Sequence, residues 1–202
     1  MSTQAEAVQR TSVIFVRHAQ SVYGADDRER PLTEAGLADR ALVTAALSGR
    51  KIDAFLSSPY RRSMDTVLPA AEARGMKVYT DERFRERKAG THKFEALARR
   101  WADFSYAEEN GESLGSVQQR NMEALKDVLR NHAGETVVIG THGTALSAIL
   151  NHYIPAFGLK DFQRIVLWQP YMIELAFDGD RLLEMKELGH VEKDPLHPDG
   201  SI

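Results

Sequence analysis

The chain has no cysteine among its 202 residues. This removes disulfides, thiolate metal sites and a cysteine nucleophile together. Covalent chemistry would have to use another side chain. A disulfide-free chain also fits a cytoplasmic location, which is the expectation here. Long apolar runs are missing too. No stretch approaches the roughly 18 apolar residues of a membrane span, so no membrane partner is expected. Nor is there an excess of positive charge: the formal net charge is −3, which gives no electrostatic basis for a nucleic-acid partner. Internal repeats and low-complexity tracts are absent. The 43% hydrophobic and 27% charged residues that remain are those of an ordinary globule, and the length suits one domain over residues 1–202. Residues 1–10, with Gln4, Glu6 and Gln9 and no apolar run, read as a loose leader rather than a signal peptide. The polar, proline-punctuated residues 190–202 read as a tail.

The chain is organised around Val13-Ile14-Phe15-Val16-Arg17-His18-Ala19-Gln20-Ser21. Four consecutive apolar, mostly β-branched residues predict a strand buried on both faces, and the sequence then turns abruptly to arginine and histidine. Ligands bind at the carboxyl ends of strands in open α/β sheets. There an arginine can fork onto two oxygens and a neutral imidazole can act as nucleophile or base. Oxyanion chemistry is the first expectation.

Further strands are predicted at Asp53–Ser57, Lys77–Thr80 and Glu135–Gly140. Between them, Thr33 caps a helix from Glu34 to about Leu47, closed by Gly49, with Leu37, Ala41, Leu42 and Ala45 on one face. Ser58-Pro59 opens a helix running to Arg74, and Ser113 caps a long helix ending near His132. Residues 81–111 read as irregular. Met172–Phe177 and Arg181–Leu188 flank Asp178-Gly179-Asp180 as a hairpin. The alternation of strands and helices predicts a three-layer α/β/α fold with a mainly parallel central sheet and a C-terminal β-hairpin.

Reactive side chains recur just past these strands. Arg61 and Arg62 fall near a helix start, where unpaired N–H groups and the helix dipole favour an anion. Glu86 follows the third strand, and His142 follows the Val137–Ile139 run and precedes Gly143. These types suit phosphoryl transfer through a phosphohistidine: an imidazole attacks phosphorus, arginines and a second histidine take the oxygens, and a carboxylic acid protonates the leaving group. The seven histidines show no HExxH or paired-ligand spacing, so neither a metal nor another cofactor is expected.

The same residues resemble the histidine phosphatase superfamily, the phosphoglycerate mutase-like group. Arg17-His18-Ala19 is similar to its Arg-His-Gly, Leu32-Thr33-Glu34-Ala35-Gly36 to its Leu-Thr-x-x-Gly, and Ser57–Thr66 to its Ser-Ser-x-x-x-Arg-Ala-x-x-Thr segment. Phe84–Gly90 resembles the segment carrying the acid, Gly111-Glu112-Ser113-Leu114 with Arg120 its Gly-Glu-Ser-Leu helix start, and Thr141-His142-Gly143 its second catalytic His-Gly. The resemblance selects Arg62 over Arg61. It implies His18 as phosphorylated nucleophile, Glu86 as proton donor, and Arg17, Arg62 and His142 around the phosphoryl group, with Ser21 and Gly143 also contacting substrate. Two positions depart from it: Ala19 replaces a glycine beside the nucleophile, and Gly24 stands where many members have a phosphate-binding asparagine.

The family's mutases resemble longer chains with a fuller cap. The short insertion at about residues 84–112 therefore favours hydrolysis of a small phosphorylated substrate over mutase-type transfer. A non-catalytic phosphate-binding module is the third reading, and it would have no use for a proton donor. Lys88, Lys93, Arg99 and Arg100 read as a solvated helix face, and Phe94, Trp101, Phe104 and Tyr106 as cap core. Ile165–Trp168 is the stretch a homo-oligomer would use, although burial in the core is the simpler reading.

Overall fold

The computed structural model describes residues 9–23, 26–90 and 94–194, without the side chains of residues 94 and 95. Along the chain run β1 (Arg10–Arg17), α1 (Glu34–Leu47), β2 (Ala54–Ser57), α2 (Arg61–Glu72), β3 (Val78–Thr80), a 3₁₀ turn (Glu82–Phe84), α3 (Phe94–Ala102) and α4 (Leu114–Asn131). They are followed by β4 (Thr136–Thr141), α5 (Gly143–Tyr153), α6 (Leu159–Val166), β5 (Trp168–Asp178) and β6 (Arg181–Glu192). The sheet order is β3-β2-β4-β1-β5-β6. The first four are parallel neighbours, and β5 pairs antiparallel with both β1 and β6.

Side chains alternate between the faces of a strand, so the apolar run of β1 serves two cores. Val13 and Phe15 join Val137 and Ile139 against Leu125 and Val128 of α4 and Leu146 and Ile149 of α5. Ile14 and Val16 join Val138 and Phe55 against Val43 and Leu47 of α1 and Val67 and Ala70 of α2. Burial of each such side chain contributes roughly 1.5–3 kcal/mol. A sheet covered on both sides leaves its strand ends as the place for a polar site.

Local chemistry explains the boundaries. Thr33 accepts a hydrogen bond from the Gly36 amide and caps α1. A Cβ at Gly36 would lie 2.1 Å from the Gln20 carbonyl oxygen, so only glycine lets this helix start press on the segment that follows His18. Ser113 caps α4 by accepting from the Ser116 amide. Pro69 inside α2 has no N–H to offer the Asp65 carbonyl, and the Arg40 guanidinium donates to that carbonyl instead at 3.3 Å. Gly179, at φ +60, turns the β5–β6 hairpin in the left-handed region.

Several elements depart from expectation. α2 starts at Arg61 rather than Pro59, because Ser58 is spent on a turn to the Tyr60 amide and on His142. α3 lies within the stretch read as irregular, and α6 was not foreseen. Of the α1 face expected inside, Leu37, Ala41 and Ala45 are exposed, whereas Gly36, Val43 and Leu47 are buried. Arg10 already belongs to β1, and β6 continues through residues 190–192, so the leader is shorter and the tail begins later. Residues 1–8 and 195–202, with the remainder of both, lie outside the described residues, as do Gly24 and Lys93. Within Ile165–Trp168, Ile165 is core and the other three are half-buried.

Candidate active site

Parallel pairing brings the carboxyl ends of β3, β2, β4 and β1 to one sheet edge. Arg17, the last residue of β1, pairs in register with Thr141, and the His18 amide donates to the Thr141 carbonyl at 3.1 Å. His18 and His142 are thereby side by side, with ring centroids 5.3 Å apart in an edge-on arrangement. Arg62 joins them from the first turn of α2 and is only 1% exposed.

The hydrogen bonds assign the His18 tautomer. Nδ1 lies 2.7 Å from the Ala19 carbonyl, which can only accept, so Nδ1 carries the proton. Nε2 accepts from the Arg62 Nε–H at 3.2 Å and is left with its lone pair towards an arginine. The His18 pKa is driven well below its ordinary value, first by burial and then by the Arg62 and Arg17 charges. Burial thus outranks the neighbouring cations. His142 is lowered in the same way by burial, Arg62, His18 and Arg17.

A reaction that uses His18 in its neutral form, with a lowered pKa, loses activity only at correspondingly lower pH. The acid limb of the kcat/KM profile is therefore expected below the ordinary histidine value of 6.5. Half-loss at or above 6.5 would contradict this environment for His18.

The second histidine is held by groups the sequence reading had not assigned to the site. Its Nε2 lies 2.7 Å from the Ser58 hydroxyl, and the Tyr60 ring packs edge-on at 5.2 Å. Its Nδ1 is buried without a partner among the described residues. Both Ser58 and Tyr60 lie inside the quoted Ser57–Thr66 segment, but no spacing rule distinguished them. Arg17 anchors Nη1 on the carbonyls of Ile165, Val166 and Trp168 at 2.6, 2.9 and 2.7 Å, while its Nε is buried and has no partner among the described residues. Burial lowers its pKa to about 9, the Glu86 charge acting against that shift and the Arg62 charge with it. It remains a cation at neutral pH. A Cβ on Gly143 would stand 3.2 Å from the Arg17 Nε, so glycine keeps the space beside this guanidinium open.

Glu86 is fixed at the start of α5. One carboxylate oxygen accepts from the Thr144 amide at 3.1 Å, and the other from the Ala145 amide at 3.2 Å and the Arg87 amide at 2.7 Å. The unpaired N–H groups of a helix start favour an anion. The run His142-Gly143-Thr144-Ala145 thus supplies the second histidine, the gap beside Arg17 and the mount for the Glu86 carboxylate. The Glu86 backbone is fixed separately: Arg120 donates to the carbonyls of Arg83, Arg85 and Glu86, and Glu112 accepts from Arg120 and Arg85. Burial pushes the Glu112 pKa upward, but the bonds from Arg120, Arg85 and the Lys88 amide outweigh it and bring it to about 2. The Gly-Glu-Ser-Leu segment therefore acts on the site through the backbone that carries Glu86.

The remaining candidates are placed differently. Arg61 is exposed and pairs with Asp65 at 3.4 Å. Ser21 is buried, and its backbone bridges to Leu32. Ala19 is fully buried, with its amide donating to the Thr66 hydroxyl. Ser63 donates no charge to the site but is hydrogen-bonded with Ser57 at 3.1 Å beneath Gly140. In the cap, Arg100 is buried rather than solvated and pairs with Glu108, which also takes Arg87. Arg99 lies over the Tyr106 ring at 4.0 Å, and Trp101 packs on Phe104, Phe157 and Phe162. These residues knit the cap together. Among the described residues no three side chains are grouped to hold a metal ion, and no helix is long and apolar enough to cross a membrane.

With this geometry in view, comparison with known proteins defines the class. Residues 13–186 match the model of the histidine phosphatase superfamily (branch 1), and the chain belongs to that superfamily. It is 30% identical over 154 residues to phosphoserine phosphatase 1 of Hydrogenobacter thermophilus, covering 68% of this chain and 73% of that protein. It is 29% identical over 156 residues to a probable phosphoglycerate mutase of Yersinia enterocolitica, covering 69% and 73%. Among solved structures, the Bacillus stearothermophilus protein YhfR superposes with a TM-score of 0.72 at 25% identity, over 86% of this chain and 94% of its own. A mycobacterial glucosyl-3-phosphoglycerate phosphatase superposes with a TM-score of 0.71 at 21% identity, over 88% and 97%, which shows a shared fold.

Proposed function

We propose that the protein hydrolyses small phosphate monoesters through a phosphohistidine on His18, with arginines rather than a metal supplying the positive charge. The observation that carries this reading is the His18 tautomer, with Nδ1 committed to the Ala19 carbonyl and the Nε2 lone pair beside Arg62. Nε2 attacks phosphorus as the bond to the leaving oxygen breaks, and Glu86, which takes up a proton as the anionic phosphoryl group binds beside it, gives that oxygen the proton. Water then attacks the phosphohistidine, Glu86 takes the water's proton, and the P–N bond breaks to return neutral His18. Arg62 turns its Nε–H from His18 to a phosphoryl oxygen as substrate enters. The unpartnered Arg17 Nε and His142 Nδ1 supply further contacts.

The phosphatase names of several relatives support hydrolysis, and the short cap favours water over a second phosphorylated acceptor. Release of inorganic phosphate from an aryl phosphate is the test. The rate should be unchanged by EDTA. Loss with EDTA and recovery on adding a divalent metal would overturn the arginine-only account. Transfer from a bisphosphate to a monophosphate acceptor would establish mutase chemistry instead. Phosphate binding without turnover on a broad panel of monoesters would leave a binding module.

A further inference from the structure

Arg62 contacts two different groups. Its Nε faces His18, while its Nη1 donates to the Asp27 carbonyl and lies 3.4 Å from the Asp27 carboxylate oxygen Oδ1. That same Oδ1 is 3.1 Å from Arg30 Nη2. One carboxylate oxygen therefore sits within reach of two guanidinium groups at the mouth of the site. The three participants differ in burial. The Arg62 side chain is 1% exposed and that of Arg30 16%, whereas the Asp27 side chain is 55% exposed. Asp27 is the partner that can leave without uncovering the core.

The backbone holds Arg30 in this position. The Pro31 carbonyl accepts from the Val22 amide, Leu32 bridges to Ser21, and the Arg28 carbonyl accepts from the Arg61 amide. Arg28 adds a two-point ion pair to Glu82, with both contacts at 3.0 Å. Arg30 itself lies over the Tyr23 ring at 5.3 Å, and its buried Nε has no hydrogen-bond partner among the described residues.

Resting on the phosphatase reading above, we infer that Arg30 and the Nη edge of Arg62 form a second anion subsite beside the phosphoryl pocket. It takes a carboxylate or equivalent acidic group on the leaving portion of the substrate, and the Asp27 carboxylate occupies it when no substrate is bound. The subsite selects phosphomonoesters with an acidic leaving group over neutral ones of the same size.

Two substrates that differ by one carboxylate provide the test: 2-phosphoglycolate and ethyl phosphate. The wild type is expected to prefer 2-phosphoglycolate. Arg30→Ala should lose about tenfold to a hundredfold in kcat/KM for it, chiefly through KM, while ethyl phosphate stays within about twofold. Arg30→Lys, which keeps the charge but not the fork, should retain an intermediate preference. Arg30→Gln carries the same test if the alanine variant does not fold. Equal losses on both substrates, no loss on either, or a wild type without preference would overturn the subsite. Should the wild type hydrolyse neither compound, the phosphatase reading fails on its own. The subsite is then decided by calorimetric titration with 2-phosphoglycolate: weaker binding by Arg30→Ala supports it, and equal affinity or no binding overturns it.

Discussion

His18→Ala is expected to lower phosphomonoester hydrolysis by on the order of 10⁴-fold or more, the scale on which enzymes lose activity when a covalent nucleophile is removed. No neighbouring group can substitute. The other imidazole of the site, His142, is engaged through Nε2 with Ser58 and packed by Tyr60. Arg17 and Arg62 are cations without a lone pair to give. The variant should keep its fold, since the β1 strand behind it is fixed by Val13, Ile14, Phe15 and Val16 in two cores. Circular dichroism and a thermal melt check that, and steady-state hydrolysis checks the loss. Activity within tenfold of wild type would exclude His18 as nucleophile.

The second large effect separates two adjacent arginines. Arg62→Ala should cost about 10² to 10³ in kcat, because it removes a preorganised donor from a buried site where charge develops in the transition state. Arg61→Ala should change the rate by no more than about twofold, as for exposed substitutions away from special features. The contrast follows from position. Arg62 is buried against His18, whereas Arg61 lies in solvent beside Asp65. Equal losses would mean that proximity to His18 is not what matters at this helix start.

These expectations show which parts of the molecule could be read from residues alone. The Val13–Val16 run announced a strand buried on both sides, because parallel strands inside a three-layer fold have no polar face. Thr33 and Ser113 announced their helices because a capping hydroxyl acts within three residues of itself. The buried face of α1 was misread for a physical reason. Glu34–Leu47 is rich in alanine and leucine around its whole circumference, so periodicity does not choose a side, and packing on α2 and the sheet does. α6 escaped notice because eight residues with two buried side chains, Phe162 and Ile165, give little pattern.

In the site, the residues just past each strand were legible from order and type. Their mounting was not, because it is made by contacts between distant segments. Glu86 sits on the α5 amides from 58 and 59 positions away. The Arg62 contact with Asp27 spans 35 positions, and neither partner advertises the other. Ser58 was read as a helix cap when its hydroxyl serves His142 across 84 positions.

The most direct measurement is chemical trapping of the intermediate. Enzyme mixed with a fast-leaving aryl phosphate is quenched into alkali and mapped by peptide mass spectrometry, since phosphohistidine survives alkali and is lost in acid. The phosphoryl group should appear on the peptide carrying His18, disappear on acid treatment and be absent from His18→Ala. Full hydrolytic turnover with no phosphorylated His18, or with the group on another residue, would contradict the account.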